Sequence, residues 1–466
     1  MSGAAVALLI AAVAAAFWPG IAMYDTVAQY GQVLGGPVDD WHPPVMVRLW
    51  QFLHLLAPGT APMFVLQIGL YGVGLVLIVV ALVRAGRPLA ALAATLITLS
   101  PLLLGWQMVV LKDGQMLGAL LAAVGILLYF RLGGRRVPAA AALLAGLLVV
   151  YATLLRANAL FATVPLAVLL LAHPRSMVAR AMLVISGILA VLAVTPLINQ
   201  RLFGAEPSGV AKTQPLFDLA AMAATSRSPA PFTPAERALI VRRNCAKAFF
   251  WDPLGDPLAC GSATDRLRSE SATSLYLELG RVAAARPLAY AEHRLQHWNS
   301  TERWLVPPGL IDAGPPDEAE PNDAGLKSPA NPLVPLWQHV AAIEAATPLG
   351  WPIFWTAVAL LLLAPAWKRR SDPAGGIALA LIVSALMLEA SFLVVSISSD
   401  LRYHLWPMAA SALGLLLLGN RLRWRGRGAL VSGCVLMLVI AAGVAVRHSL
   451  PRAPDSYQAM VHSLSG

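Results

Sequence analysis

Hydropathy constrains this chain more than any motif. Apolar runs recur at about 4–23, 63–83, 88–106, 115–131, 138–155, 158–172, 178–198, 349–367, 375–398, 404–419 and 428–446. A helix crossing a bilayer needs roughly 20 mostly apolar residues. The expectation is an all-α polytopic membrane protein with about eleven transmembrane helices, the shorter runs being the weaker candidates. Composition agrees: 58% of the 466 residues are hydrophobic and 12% are charged, where a soluble chain carries about 25% charged residues. The first run lacks a charged leading segment, and Trp18-Pro19 does not resemble a small-residue cleavage site. It is therefore read as a span, not a signal peptide.

Lys and Arg set the orientation. With a cytoplasmic N-terminus, the inner connections hold Arg84, Arg87, Arg131, Arg135, Arg136, Arg175, Arg180, Lys368, Arg369, Arg370, Arg421, Arg423, Arg425 and Arg427. The short outer segments hold one basic residue each: Arg48, Lys112, Arg156 and Arg402. This asymmetry supports an odd number of spans. The net charge of +10 then reflects topology and contact with anionic membrane lipids, and gives no reason to expect nucleic acid.

Two stretches break the alternation of spans and short loops, dividing the chain into 1–198, 199–348 and 349–466. The first is the outer loop at 24–62. A helix from Thr26 to Leu34 is expected there, followed by Gly35-Gly36-Pro37. Pro43-Pro44 then opens an amphipathic helix to Leu56, favourable because a Pro at the helix start lacks only an N–H that would be unpaired anyway. Its Met46, Leu49, Trp50, Leu53 and Leu56 share a face suited to the interface. The second stretch, 199–348, reads as a polar outer domain. Thr233-Pro-Ala-Glu236 is a capping box opening a helix to about Phe250; further helices are expected at 263–281 and 286–298. Residues 307–336 are rich in Pro, Asp and Gly and read as an extended loop. Cys245 and Cys260 can pair if the domain faces an oxidising compartment. Cys434 reads as a packing residue of the last span.

Polar residues collect at the outer ends of different spans: Asp25, His42, Lys112-Asp113, Arg156-Ala-Asn158 and Asp400-Leu-Arg402-Tyr403-His404, with Glu389 in the outer half of its span. Charge near lipid is costly unless paired or functional. A carboxylate there can act as a general base. Lys and Arg can neutralise a phosphate, Arg bidentately. Trp and Tyr faces suit the apolar side of a sugar ring. Structural readings stand beside these. Asp39 and Asp40 fit turn positions. Lys112 and Asp113 could pair with each other. Tyr403 and Trp406 suit an aromatic belt, and Glu389 a buried partner for Arg402 or Lys112.

This layout resembles the GT-C superfamily of integral membrane glycosyltransferases, which includes protein O-mannosyltransferases, oligosaccharyltransferase catalytic subunits and the aminoarabinose transferase of lipid A. Asp25 matches the acidic residue of the first outer loop, and Asp113 the acid of the next. Arg156-Ala-Asn158 and Arg402-Tyr403 resemble basic motifs of later loops. Asp25 with Trp41-His42-Pro43 is similar to a branch of uncharacterised bacterial membrane proteins. The resemblance covers roughly residues 1–200 and 375–420. It departs where the superfamily often has an acidic doublet straight after the first span: here Asp25 precedes Thr26, and Asp39-Asp40 comes later. Asp39, Asp40 or Asp113 thus remain alternatives for the base.

The resemblance implies a multi-pass enzyme of the bacterial inner membrane with an extracytoplasmic site. It would move a sugar from a polyprenyl-phosphate donor to a glycan, lipid or protein acceptor. Asp25 would be the base, with Asp113 and His42 orienting the substrates. Lys112, Arg156 and Arg402 would hold the donor phosphate, and Trp41, Asn158, Tyr403, His404, Asp40 and Glu389 would contact substrate. No cofactor is called for, although Asp25, Asp113 and His42 are candidates for a divalent cation. The rival reading is a transporter or flippase of a lipid-linked or anionic solute, which would show polar residues on both sides of the midplane and repeated halves.

Overall fold

The computed structural model describes residues 2–171, 176–225, 230–419, 422 and 426–463. Arg175, Arg421, Arg423 and Arg425 of the expected inner connections lie outside the described residues. The described chain is helical, with three isolated bridges and no sheet. Its first part comprises α1 (Gly3–Ala16), α2 (Tyr24–Val33), α3 (Pro44–His54), α4 (Ala61–Arg84), α5 (Pro88–Thr98), α6 (Pro101–Gln107), α7 (Lys112–Arg131), α8 (Ala139–Leu155), α9 (Leu160–Leu171) and α10 (Met177–Leu197). A domain follows with α11 (Thr213–Ala224), α12 (Pro234–Arg242), α13 (Asp252–Gly255), α14 (Asp265–Arg268), α15 (Ala272–Ala285), α16 (Pro287–Thr301) and α17 (Leu333–Ala346). The chain ends with α18 (Pro352–Lys368), α19 (Pro373–Val395), α20 (Leu405–Gly419), α21 (Arg427–Ser449) and the short α22 (Tyr457–His462).

Among the described residues, five helices are long and apolar enough to cross a membrane: α4, α7, α10 with its extension to Leu202, α19 and α21. The other expected spans are shorter helices: α1, α8, α9, α18 and α20. The expected span at 88–106 is not continuous. It is the pair α5 and α6, bent by 58°. Pro101 cannot donate a backbone hydrogen bond to continue α5, and Ser100 Oγ restarts the helix by accepting from Leu103 N.

The most central helix is not the most apolar in appearance. Every residue of α7 from Asp113 to Leu128 is buried, whereas α10 has no buried residue and α21 has only Gly443. Glycines bring α7 close to its neighbours. A Cβ on Gly114 would stand 2.4 Å from Gln67 Nε2, and one on Gly74 would stand 2.5 Å from the Leu121 carbonyl carbon. Small residues let helix backbones approach where lipid provides no hydrophobic drive for association. α10 and α21 present their aliphatic side chains outward. Cys434 on α21 is accordingly exposed, not a packing residue as expected.

In the first loop, α2 and α3 fall close to expectation. Met46 and Trp50 are fully buried against the bundle, while Leu56, beyond the helix end, is 77% exposed. The domain departs further. The helix from Thr233 ends at Arg242, although the Thr233–Glu236 capping box forms as expected. The stretch 263–281 is split into α14 and α15. α11 was not anticipated, and neither was α17, which packs on α6. Cys245 and Cys260 are disulfide-bonded.

The tail after α21 folds back onto the domain. Tyr457 meets Phe250 with ring centroids 5.6 Å apart, Ala453 N donates to Pro308 O at 3.0 Å, and Lys247 Nζ donates to Ser463 O. Four helices, α18 to α21, separate domain from tail. An even number of crossings returns the chain to the end of the bundle it left, which is what the contacts show.

Candidate functional site

The polar residues of the separate loops meet at the domain end of the bundle because backbone and amide contacts pin the loops together. Ile21 pairs with Val109 in a parallel bridge. Ile21 N donates to Met108 O, and Val110 N to Ile21 O, both at 3.0 Å. Thr26 Oγ1 donates to Val110 O at 2.6 Å. From α4, the buried Gln67 amide donates to Gln107 O and Val109 O at 2.8 and 2.7 Å. These contacts set the start of α2, with Asp25, beside the start of α7, with Lys112 and Asp113. The third contributor is held from the domain. Buried Arg294 donates to Phe392 O, Leu393 O and Ser396 O at 2.8–3.0 Å and to Asp218 Oδ1 at 3.0 Å. This satisfies carbonyls at the end of α19 that have no partner within the helix and fixes the turn carrying Asp400 and Arg402.

The result is an interleaved set of three carboxylates and three cations. Asp25 Oδ2 lies 3.1 Å from Lys112 Nζ and 3.0 Å from Arg402. Arg402 also donates to Asp400 Oδ2 from Nε at 3.1 Å and from the terminal nitrogen at 2.9 Å. Arg156 pairs with Asp113 Oδ1 and donates to Asn158 Oδ1 at 3.2 Å. Asp113 Oδ2 makes no hydrogen bond and lies 4.0 Å from Arg402 Nε. The Arg156 guanidinium lies 3.9 Å from the Tyr403 ring centroid, and that of Arg402 lies 5.5 Å away. Lys112 and Asp113 do not pair with each other, since adjacent helical residues face different directions.

Burial alone would raise the Asp25 carboxyl; the Arg402 and Lys112 cations outweigh it and hold the group far below the usual carboxylate range. Buried His42 goes the same way for different reasons. Burial and then Lys112 lower it to about 4, so its imidazole is neutral at pH 7. Its Nδ1 is buried and makes no hydrogen bond. Buried polar atoms normally find partners, so His42 Nδ1 and Asp113 Oδ2 are two open hydrogen-bonding positions in the candidate site, the carboxylate oxygen an acceptor and the imidazole nitrogen a donor or acceptor by tautomer.

Several expected residues are placed elsewhere. Asp40 Oδ1 accepts from Ser208 N at 2.7 Å and Ser208 Oγ at 2.6 Å, tying the first loop to the start of the domain. Asp39 Oδ1 caps Trp41 N at 3.0 Å. Trp41 stacks toward Trp251 at 6.1 Å. Glu389 does not partner Arg402 or Lys112. Its carboxylate meets His404 Nδ1 at 2.7 Å, deeper in the bundle, because Asp25 and Asp400 already occupy the Arg402 guanidinium. Trp406 is not in an aromatic belt: it is buried and donates to Ser384 Oγ at 2.9 Å.

Sequence reasoning counted Asp400 among the converging polar residues but gave it no role, though its place two residues before Arg402 was a usable signal for an ion pair. It missed Asp252 and Asp312. Both are pushed up to about 7, first by burial and then by Asp400. Leu401 N donates to Asp312 O at 3.0 Å, which places that loop against the Asp400 turn. Nothing local in the sequence marks it. Among the described residues, no group of three or more His, Cys, Asp and Glu side chains is arranged to hold a metal ion. Asp25, Asp113 and His42, the candidate ligands, are interleaved with cations.

No family model matches this chain, and no curated protein matches it. Among solved structures it is similar to the archaeal oligosaccharyltransferase AglB from Archaeoglobus fulgidus, solved with an inhibitory peptide and a dolichol-phosphate. The match has 15% identity and a TM-score of 0.37, and covers 96% of this chain and 55% of that one. The chain therefore spans about half the length of the protein it matches.

Proposed function

We propose that this chain is a membrane glycosyltransferase of the GT-C type. In this reading it sits in a bacterial inner membrane with the polar set facing outward. It moves a sugar from a polyprenyl-phosphate donor to a hydroxyl or amide acceptor on an envelope glycan, lipid or protein. The observation that carries the reading is the convergence of Lys112, Arg156 and Arg402 with Asp25, Asp113 and Asp400 from four separate loops at one end of the bundle. The alternative of a transporter is disfavoured by α7. Between Met116 and Leu128 this buried central helix carries only Gly, Ala, Leu, Val, Ile and Met, which offers no polar path along it.

The ion pairs shape the mechanism. Arg402 and Lys112 face a carboxylate, so a donor phosphate must compete with Asp25 for them. A phosphate offers more acceptor oxygens and more charge and takes a guanidinium bidentately. As it draws the cations away, the Asp25 carboxyl rises from its depressed range and becomes a competent base. It then takes the acceptor proton as the acceptor heteroatom bonds to the sugar C1. The bond from C1 to the phosphate oxygen breaks, and its electron pair leaves with the polyprenyl phosphate, stabilised by Lys112, Arg156 and Arg402. Asp113 Oδ2 accepts from a substrate hydroxyl, and His42 Nδ1 bonds a second one as donor or acceptor according to its tautomer.

Mass analysis of envelope glycans tests the reading. Cells producing the chain should carry a sugar mass increment that is absent from cells lacking it and from cells carrying Asp25→Asn at equal abundance. Identical glycan masses in all three would refute it.

A further inference from the structure

The opposite end of the bundle holds a cavity of about 350 Å³. Four arginines line it: Arg131 at the end of α7, Arg135 in the connection to α8, Arg180 in the first turn of α10, and Arg370 between α18 and α19. One carboxylate, Asp372, is among the lining residues, and it accepts from Gly375 N at 2.9 Å to cap α19. Leu169, Ile377 and Leu379 add an apolar wall.

Basic residues on the inner connections of a membrane protein need no ligand to explain them, because they set topology. Topology alone requires only that they lie on that side. Here arginines from three separate connections surround one space. Two of them are held in place by contacts around it: Arg131 donates to Leu170 O, and Arg370 donates to Trp367 O at 2.9 Å with its guanidinium 4.8 Å from the Trp367 ring centroid. Arg135 lies 4.8 Å from the Tyr129 ring centroid. A cationic lining beside apolar side chains, at the end of α7 and the start of α19, matches one ligand chemistry: a phosphate with hydrocarbon attached. Basic pockets between transmembrane helices take anionic headgroups in this way.

We propose that this cavity binds the phosphate of an anionic lipid in the inner leaflet. The free phosphate anion shares the headgroup chemistry but not the apolar contact. The site is remote from the polar set at the domain end, and the proposal does not depend on a glycosyltransferase reading.

Native mass spectrometry of the purified full chain in detergent tests it, with phosphatidylglycerol, phosphatidylcholine and inorganic phosphate as probes. The wild-type chain should retain phosphatidylglycerol over phosphatidylcholine. The pair Arg135→Gln/Arg370→Gln, both exposed side chains, should weaken phosphatidylglycerol binding by about tenfold or more. The control pair Arg136→Gln/Lys368→Gln removes the same charge from exposed residues that do not line the cavity and should leave binding unchanged. Should the first pair prove unstable without lipid, the single reversal Arg135→Glu serves in its place, with the same loss expected. Equal weakening by both pairs would mean diffuse charge and would overturn the proposal, as would no weakening by either. Displacement of the lipid by inorganic phosphate at comparable concentration would overturn the lipid assignment.

Discussion

The two ends of the bundle use arginine in opposite ways. At the domain end, Arg156, Arg402 and Lys112 stand among three carboxylates, Asp25, Asp113 and Asp400, buried or half-buried and ion-paired. At the other end, four arginines share the cavity lining with Asp372. A balanced, buried set is costly to disturb, because removing one charge strands its partners. An unbalanced, more exposed set contributes little to stability and attracts anions. The comparison separates arginines paired with carboxylates in a balanced set from arginines gathered around a cavity.

Arg402→Gln tests the first half of this most severely. It leaves Asp25 with Lys112 as its one remaining ion-pair partner among the described residues, and strips Asp400 of its paired cation. Thermal unfolding should show a loss of about 3–5 kcal/mol, and transfer should fall about 100-fold or more. Adding Asp400→Asn should restore part of the stability and none of the transfer. Asp25→Asn comes next. Arg402 keeps Asp400, so the fold should survive, while sugar transfer should drop by about 10²–10⁴. Unchanged transfer would move the base elsewhere.

Gly114→Ala probes positioning. Its Cβ would fall 2.4 Å from Gln67 Nε2, and that amide organises the loop before Lys112. A stability loss of about 1–3 kcal/mol is expected, with transfer reduced because Lys112 and Asp113 shift. Glycine-rich stretches are visible in the sequence, but which faces the partner amide is not. The same limit explains the rest of the comparison between reading and structure. The apolar runs and the Cys245–Cys260 pair were legible, since hydropathy and spacing are local. The break at Pro101 was written in Leu99-Ser100-Pro101 but was overridden by the apolar run around it. The convergence of Asp25, Lys112, Arg156 and Arg402 could be expected from sidedness alone. Their pairing could not, which is why Glu389 was assigned to Arg402 or Lys112 when it belongs to His404. Asp312 was invisible because only the folded loop places it near Asp400.

Smaller effects follow from pH. His42 is lowered to about 4 from 6.5, so the unfolded chain binds the extra proton between those values. Its contribution to stability is full above about 6.5 and is lost as pH falls toward 4. Asp312 is raised to about 7 from 3.8, so the folded state keeps the proton longer. Its contribution is present below about 3.8 and is lost as pH rises through 7. In unfolding midpoints measured across this range, His42→Gln should flatten the acid slope and Asp312→Asn the slope toward neutrality. The smallest effect belongs to the other end: Arg135→Gln/Arg370→Gln should change stability without anionic lipid by no more than about 0.5 kcal/mol and leave transfer untouched.

The central claim, that the balanced polar set receives a lipid-linked phosphate, is tested most directly by photocrosslinking. A polyprenyl phosphate with a photoreactive group beside its phosphate would be bound to the purified chain and the labelled peptides sequenced. The account predicts label on segments containing Lys112, Arg156 and Arg402, competed by unlabelled polyprenyl phosphate and lost in Arg402→Gln. Absence of label from those segments, or label that Arg402→Gln leaves unchanged, would contradict it.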